Sequence, residues 1–143
     1  IFSTRIRRGL ELPVFEDGLE SRDFVHVSDV VAAFSAAISR AEDPNTEVNV
    51  GSGVATPVVE VARALCRAFG MPESVRITGQ YRLGDIRHNM ADVSRLSSVF
   101  GLKPAVSLQD GLARFSAWVQ TQPLPEDGLE GANQELVRRG MMG

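Results

Sequence analysis

Short β-like runs alternate along this chain with helix-like runs, and each switch is marked by glycine, proline or a capping residue. That alternation is an α/β signature, because strands interleaved with helices build a sheet and its covering helices around one core. Residues 1–8 read as the end of a helix closed by Gly9, and Leu12-Pro13-Val14-Phe15 as a short extended piece whose proline confines it to an edge or a strand start. Glu16-Asp17-Gly18 is a turn. Residues 24–27 read as a strand leading into Ser28, the N-cap of an apolar-rich helix over residues 29–40 that ends at Asp43-Pro44-Asn45. Val48-Asn49-Val50 reads as a second strand, Gly51-Ser52-Gly53 as a loop, and Thr56-Pro57 as an N-cap with proline at the first helical position.

The next helix runs to Phe69 and stops at Gly70. Val58, Val61, Ala62 and Leu65 form its core-facing stripe, and Arg63 and Arg67 face water. Residues 76–79 suit a third strand and residues 92–100 a short helix closed by Gly101. Ser107-Leu108-Gln109-Asp110 is a capping box opening a last helix to about Gln120, with Leu108, Leu112, Phe115 and Val119 on its apolar face. Pro123, Pro125 and Gly128 mark a loop, and residues 134–139 suit one or two further helical turns. The expected organisation is one domain over residues 1–121 and a tail, loop plus short helix, over residues 122–143.

Composition narrows the partners. At 143 residues and 43% hydrophobic the chain suits one core, with Cys66 alone excluding an intramolecular disulfide. Its 15 basic and 18 acidic residues are spread along the chain, which argues against nucleic acid as a partner. No apolar run approaches the roughly 18 residues of a membrane span, and no signal layout opens the chain, so a cytoplasmic protein is expected. A start without Met, apolar and then basic at Arg5, Arg7 and Arg8, reads as the interior of a larger protein.

Four features bear on chemistry. Gly51-Ser52-Gly53 between a strand and a helix resembles a phosphate cradle, but Thr56 and Glu73 do not complete a dinucleotide fingerprint, and a tight turn explains it better. The single Tyr81 and single Lys103 lie 22 residues apart, so a Tyr-x-x-x-Lys catalytic pair is not in this sequence, nor is a zinc or Ser-His-Asp pattern. Arg22, at the mouth of the Arg22-Asp23-Phe24-Val25-His26 segment, has two readings: a planar donor fork for phosphate, or a surface ion pair with Asp23, Glu16 or Asp17. His26 suits packing better than catalysis. The stretch from Tyr81 to Asp92 crowds two Arg, a His and two Asp around Gly84 and can offer a cation and a carboxylate from one loop, or simply a solvated, internally paired surface.

In order and spacing, these blocks resemble the C-terminal, substrate-binding part of the extended short-chain dehydrogenase/reductases, the NAD-dependent nucleotide-sugar epimerases and dehydratases. The resemblance runs from Ile1 to about Val119. It is carried by Leu12-Pro13-Val14-Phe15-Glu16-Asp17-Gly18, Arg22-Asp23-Phe24-Val25-His26-Val27-Ser28-Asp29, Asn49-Val50-Gly51-Ser52-Gly53, Arg82-Leu83-Gly84-Asp85-Ile86-Arg87-His88 with Ala91-Asp92, and Gly101-Leu102-Lys103-Pro104. It implies a small mixed α/β substrate-binding domain without the N-terminal Rossmann domain. Arg22 and Arg82 would hold the nucleotide diphosphate, Asp85 the ribose, and Pro13, Val14 and Phe15 the base of a UDP- or dTDP-hexose. NAD and the catalytic pair would belong to the N-terminal domain, leaving no catalytic or cofactor-binding residue and no metal site in this chain. The parent is expected to be a homodimeric 4-epimerase, with a 4,6-dehydratase or a non-catalytic binding module of the same fold as alternatives. Glu16 departs from the family, where glycine is common. Apolar surface for packing on the cofactor domain is expected at Ile1, Phe2 and along residues 30–38.

Overall fold

The computed structural model describes residues 1–39 and 46–143. Among the described residues, six helices and four three-residue strands follow in the order α1 (Phe2–Arg7), β1 (Leu12–Val14), β2 (Ser21–Asp23), α2 (Val27–Ser39), β3 (Ala55–Pro57), α3 (Val58–Ala68), β4 (Val75–Ile77), α4 (Ser94–Phe100), α5 (Leu108–Gln120) and α6 (Leu129–Arg138). β1 and β4 pair in parallel, Leu12 beside Val75 and Val14 beside Ile77; β2 and β3 pair antiparallel, Ser21 opposite Pro57 and Asp23 opposite Ala55. The mixed α/β class expected from the alternation is the one observed.

The core forms where α1 and α3 close over β1. Ile6, Leu12, Val14, Val59, Ala62, Leu65 and Cys66 are buried together, with Leu112 of α5 packed against them. The α3 stripe is centred on Val59, Val61, Ala62, Leu65 and Cys66, whereas Val58 lies at its margin. Arg63 and Arg67 face water as expected and meet Glu73. The first amides of α3 are satisfied from outside the helix: Val58 N–H donates to the Glu20 carbonyl at 2.8 Å and Val59 N–H to the Gly18 carbonyl at 3.2 Å. Those bonds do the work of a side-chain cap, so Pro57 sits before the helix and Thr56 lies in β3 rather than capping it.

Two expected strands are not formed. Residues 24–26 carry no strand, and β2 lies just upstream in the polar triplet Ser21-Arg22-Asp23; residues 48–50 carry none either, and the strand after Gly53 is β3. β3 selects β2 because the two pair edge to edge, a non-local choice that composition does not encode. α2 begins at Val27, with Asp29 and Val30 amides donating to the His26 carbonyl, so Ser28 is inside the helix instead of capping it. The expected end of that helix at residues 40–45 lies outside the described residues. The capping box is as read: Ser107 Oγ accepts from Asp110 N–H at 3.1 Å. Gly9, Gly70 and Gly101 follow their helices with φ near +66°.

Residues 122–143 fold back on the rest. α6 is longer than expected, starting at Leu129, which is buried, and Met142 is buried too. Among the described residues no helix is long and apolar enough to cross a membrane.

Candidate functional site

Pro13, Val14, Phe15, Arg22, Arg82 and Asp85, drawn from three separate stretches of the sequence, line one cavity of about 320 Å³. β1 supplies Pro13 and Val14, and Phe15 follows directly after it. Val14 is 1% exposed and serves as the floor, its carbonyl taken by Thr78 N–H at 2.9 Å, so only Pro13 and Phe15 present side-chain surface there. The Arg82 guanidinium lies over the Phe15 ring, 4.6 Å from its centroid, a cation–π stack that fixes its plane. Its Nε is buried and makes no hydrogen bond among the described residues. A buried donor without an acceptor is costly, and the residue that carries it lines the cavity.

Arg22, in β2, has an ion-pair partner other than the three expected. Its Nη2 donates to Asp85 Oδ1 at 2.7 Å, and its Nη1 donates to the Ser21 carbonyl at 2.9 Å. Neither Asp23, Glu16 nor Asp17 holds it. Asp85 sits just past Gly84, whose φ of +83° makes the bend, and its Oδ1 also accepts the Ile86 amide at 3.0 Å. Arginine and aspartate are therefore delivered to one mouth as a pair, a cation for phosphate beside an acceptor for a hydroxyl.

The acidic turn belongs to Arg87. It donates to Asp17 at 2.6 Å, Glu16 at 3.1 Å and Glu20 at 3.4 Å. The hydrogen bond from Arg87, helped by the Leu19 amide, lowers the Asp17 carboxyl to about 2. Glu20 moves the other way: burial raises its carboxyl, and the Glu16 and Asp17 charges add to the rise. Arg87 thus ties the 16–20 turn to the Arg82–Asp85 loop, one on each side of the cavity. Glu16, the departure from the usual glycine, adopts φ +47°, the left-handed conformation that glycine would enter without strain.

Asp23 explains the glycine turn. Its carboxylate accepts from Ser52 N–H at 2.6 Å, Ser52 Oγ at 2.5 Å, Gly53 N–H at 3.0 Å and Ala91 N–H at 3.2 Å. Burial pushes this carboxyl up, but the Ser52, Ala91 and Gly53 donors outweigh it and leave it below its ordinary value. The amides that could cradle a pyrophosphate are engaged by the chain's own carboxylate, so Gly51-Ser52-Gly53 does not fit a dinucleotide. A Cβ at Gly51 would stand 2.5 Å from Asp23 Oδ2, which is why glycine is needed there. Asp23 and Arg87 were not singled out from sequence. Their signal was adjacency, one beside Arg22 and the other five residues after Arg82.

His26 lies outside the cavity, its Nδ1 facing Ser28 Oγ at 2.8 Å. His88 Nδ1 meets Ser21 Oγ at 2.9 Å, holding the 82–92 stretch alongside β2. Among the described residues no group of three or more His, Cys, Asp or Glu is placed to hold a metal ion. The α2 stripe Val27, Val31, Phe34 and Ile38 is 56–78% exposed, and Ile1, at the cavity rim, is 59% exposed, whereas Phe2, expected as open apolar surface, packs against the core and Ala33 is buried.

Known proteins are similar to this chain in sequence and fold. The NAD dependent epimerase/dehydratase family model matches residues 1–51. A dTDP-L-rhamnose 4-epimerase of Burkholderia thailandensis is 34% identical over 119 residues, 83% of this chain and 32% of that protein. The chain belongs to the NAD-dependent epimerase/dehydratase family. Within that family, a dTDP-glucose 4,6-dehydratase of Actinoplanes is 32% identical over 118 residues, 82% of this chain and 37% of that protein. The crystal structure of UDP-glucose 4-epimerase with UDP-glucose from Thermotoga maritima superposes with a TM-score of 0.75 at 32% identity, over 83% of this chain and 38% of that one. The chain thus spans about a third of the length of the relatives it matches.

Proposed function

We propose that this chain provides the nucleotide-sugar-binding part of an NAD-dependent 4-epimerase acting on a UDP- or dTDP-hexose. The observation that carries the reading is the convergence of Pro13, Phe15, Arg22, Arg82 and Asp85 on one cavity. Arg82, plane fixed by Phe15 and Nε without an acceptor, and Arg22 bind the diphosphate; Asp85 takes the ribose hydroxyls; Pro13 and Phe15 border the base. These residues bind and orient the substrate. On this reading residues 1–121 form the binding domain, and NAD and the proton-transfer pair are held by the part of the family fold that this sequence does not match. The exposed apolar stripe on α2 and Ile1 supports a packing surface for that part. NAD supplies hydride chemistry when bound, and no residue of this chain is assigned to it. Further expectations are a cytoplasmic homodimer without a nucleic-acid or membrane partner.

The test is kinetic. In the polypeptide that joins this segment to the cofactor-binding part, Arg22→Ala and Arg82→Ala raise KM for the nucleotide sugar more than they lower kcat, because diphosphate contacts are shared by ground and transition states. Wild-type KM in both variants would sink the assignment. The dehydratase relative keeps one alternative in play: release of a 4-keto-6-deoxy product, in place of the C4 epimer, would decide for it.

A further inference from the structure

We propose that residues 141–143, carried by α6, are a strap that pre-sets Arg82 for the phosphates of the nucleotide sugar. The inference rests on the binding reading above and assigns the tail a part in it. Arg82 is clasped on both sides through its neighbours. Tyr81 N–H donates to the Gly143 carbonyl at 2.8 Å and Gly143 N–H to the Tyr81 carbonyl at 3.1 Å; Leu83 N–H donates to the Met141 carbonyl at 2.8 Å. Arg82 itself pairs opposite Met142, which is 8% exposed. A two-residue clasp of this kind fixes the backbone of the residue between, while Phe15 fixes its guanidinium.

The strap is anchored in turn. Gly140, at φ +66°, turns the chain out of α6, and Met141 N–H donates back to the Leu136 carbonyl at 2.9 Å. At the other end of α6, Leu129 is buried and lines the same cavity as Arg82. The Asp127 carboxylate just before it pairs with Arg5 of α1. The tail therefore forms a wall of the site and holds one of its cations. An arginine already held where phosphate will lie has less freedom to lose on binding, which is the benefit of preorganisation. Positions 141–143 touch no substrate atom in this assignment; they are positioning residues that act through Arg82.

A side chain at Gly143 probes the strap, because its Cβ would meet the Tyr81 hydroxyl at 2.9 Å and the ring at 3.0 Å. In the same joined enzyme, Gly143→Val is expected to raise KM for the nucleotide sugar, and the Kd of UDP measured by calorimetry, by about fivefold to tenfold, with a smaller change in kcat. In an Arg82→Ala background the same change adds less than about twofold, since the residue it positions is gone. Tyr81→Ala combined with Gly143→Val restores room and returns KM toward wild type. Should Gly143→Val fail to fold, Gly143→Ala makes the smaller version of the same intrusion. Arg82→Ala raising KM while the Gly143 variants do not would overturn the strap and leave the binding reading standing. Full multiplication of the two effects would also overturn it. An unaffected KM in Arg82→Ala alone would overturn the binding reading instead.

Discussion

Asp23→Ala is expected to cost about 3 kcal/mol of folding stability, although Asp23 touches none of the core. Its carboxylate receives four donors within 3.2 Å: two amides and a hydroxyl from Ser52 and Gly53, and the Ala91 amide from a stretch 68 residues away. Hydrogen bonds to a charged group are worth about 1.5–3 kcal/mol each. Four at full value would be excessive, because Ser52, Gly53 and Ala91 are half-buried and water reaches them once the carboxylate is gone. Two bonds' worth at the lower end leaves the stated figure, about 6–12 °C in Tm for a chain of this size. Asp23→Asn keeps the shape and one carbonyl oxygen, so about half that loss is expected. The sign with pH follows from the direction of the shift. Because the folded carboxyl lies below its ordinary 3.8, its stabilisation is present above that value and disappears as pH falls through the lowered one. Urea denaturation at about pH 7 and about pH 3 checks both parts, the gap between wild type and Asp23→Asn narrowing at the lower pH. A loss below about 1 kcal/mol in Asp23→Ala, or a gap that does not change with pH, would refute the reasoning.

Two further outcomes are expected. Gly18→Ala should cost about 2–4 kcal/mol by thermal unfolding, since Gly18 has φ +79° and a Cβ there would meet Ile77 Cδ1 at 2.7 Å and Val59 Cβ at 3.1 Å; adding Ile77→Val should recover the larger share of the steric cost but none of the strain. Arg87→Ala should return the Asp17 carboxyl, now at about 2, toward its ordinary 3.8, read by carboxyl NMR titration. The stabilisation Asp17 lends above pH 3.8, lost as pH falls toward about 2, should shrink in that variant to the part the Leu19 amide supplies.

Helices were the legible part of this fold. α3 and α5 announce themselves by apolar spacing and by Ser107, and Gly9, Gly70 and Gly101 stop helices where a left-handed residue is needed. Strands were not, because at three residues each they are made by their partners: Ser21-Arg22-Asp23 has no strand propensity, and only β3 turns it into one. α6 starts earlier than its own periodicity suggests because Leu129 finds a buried place against distant residues. The proposed site residues lay in motif blocks whose order mattered more than any single residue. What the order concealed was their pairing. Arg22 faces Asp85 across 63 residues of chain, leaving Arg87 to gather the acidic turn.

The parallel pairing of β1 with β4 also sets a clock. The cluster around Leu12 and Val14 has no second strand until Ile77 exists, and α3, which covers it, comes only shortly before. At a synthesis rate of about 5–20 residues per second, that interval lasts several seconds. For the later half of it α2 is already made, with Val27, Val31, Phe34 and Ile38 exposed in the folded chain. Late pairing of β1, and an α2 stripe that stays open until the proposed cofactor-binding part covers it, are features by which the timing of synthesis bears on the yield of folded protein.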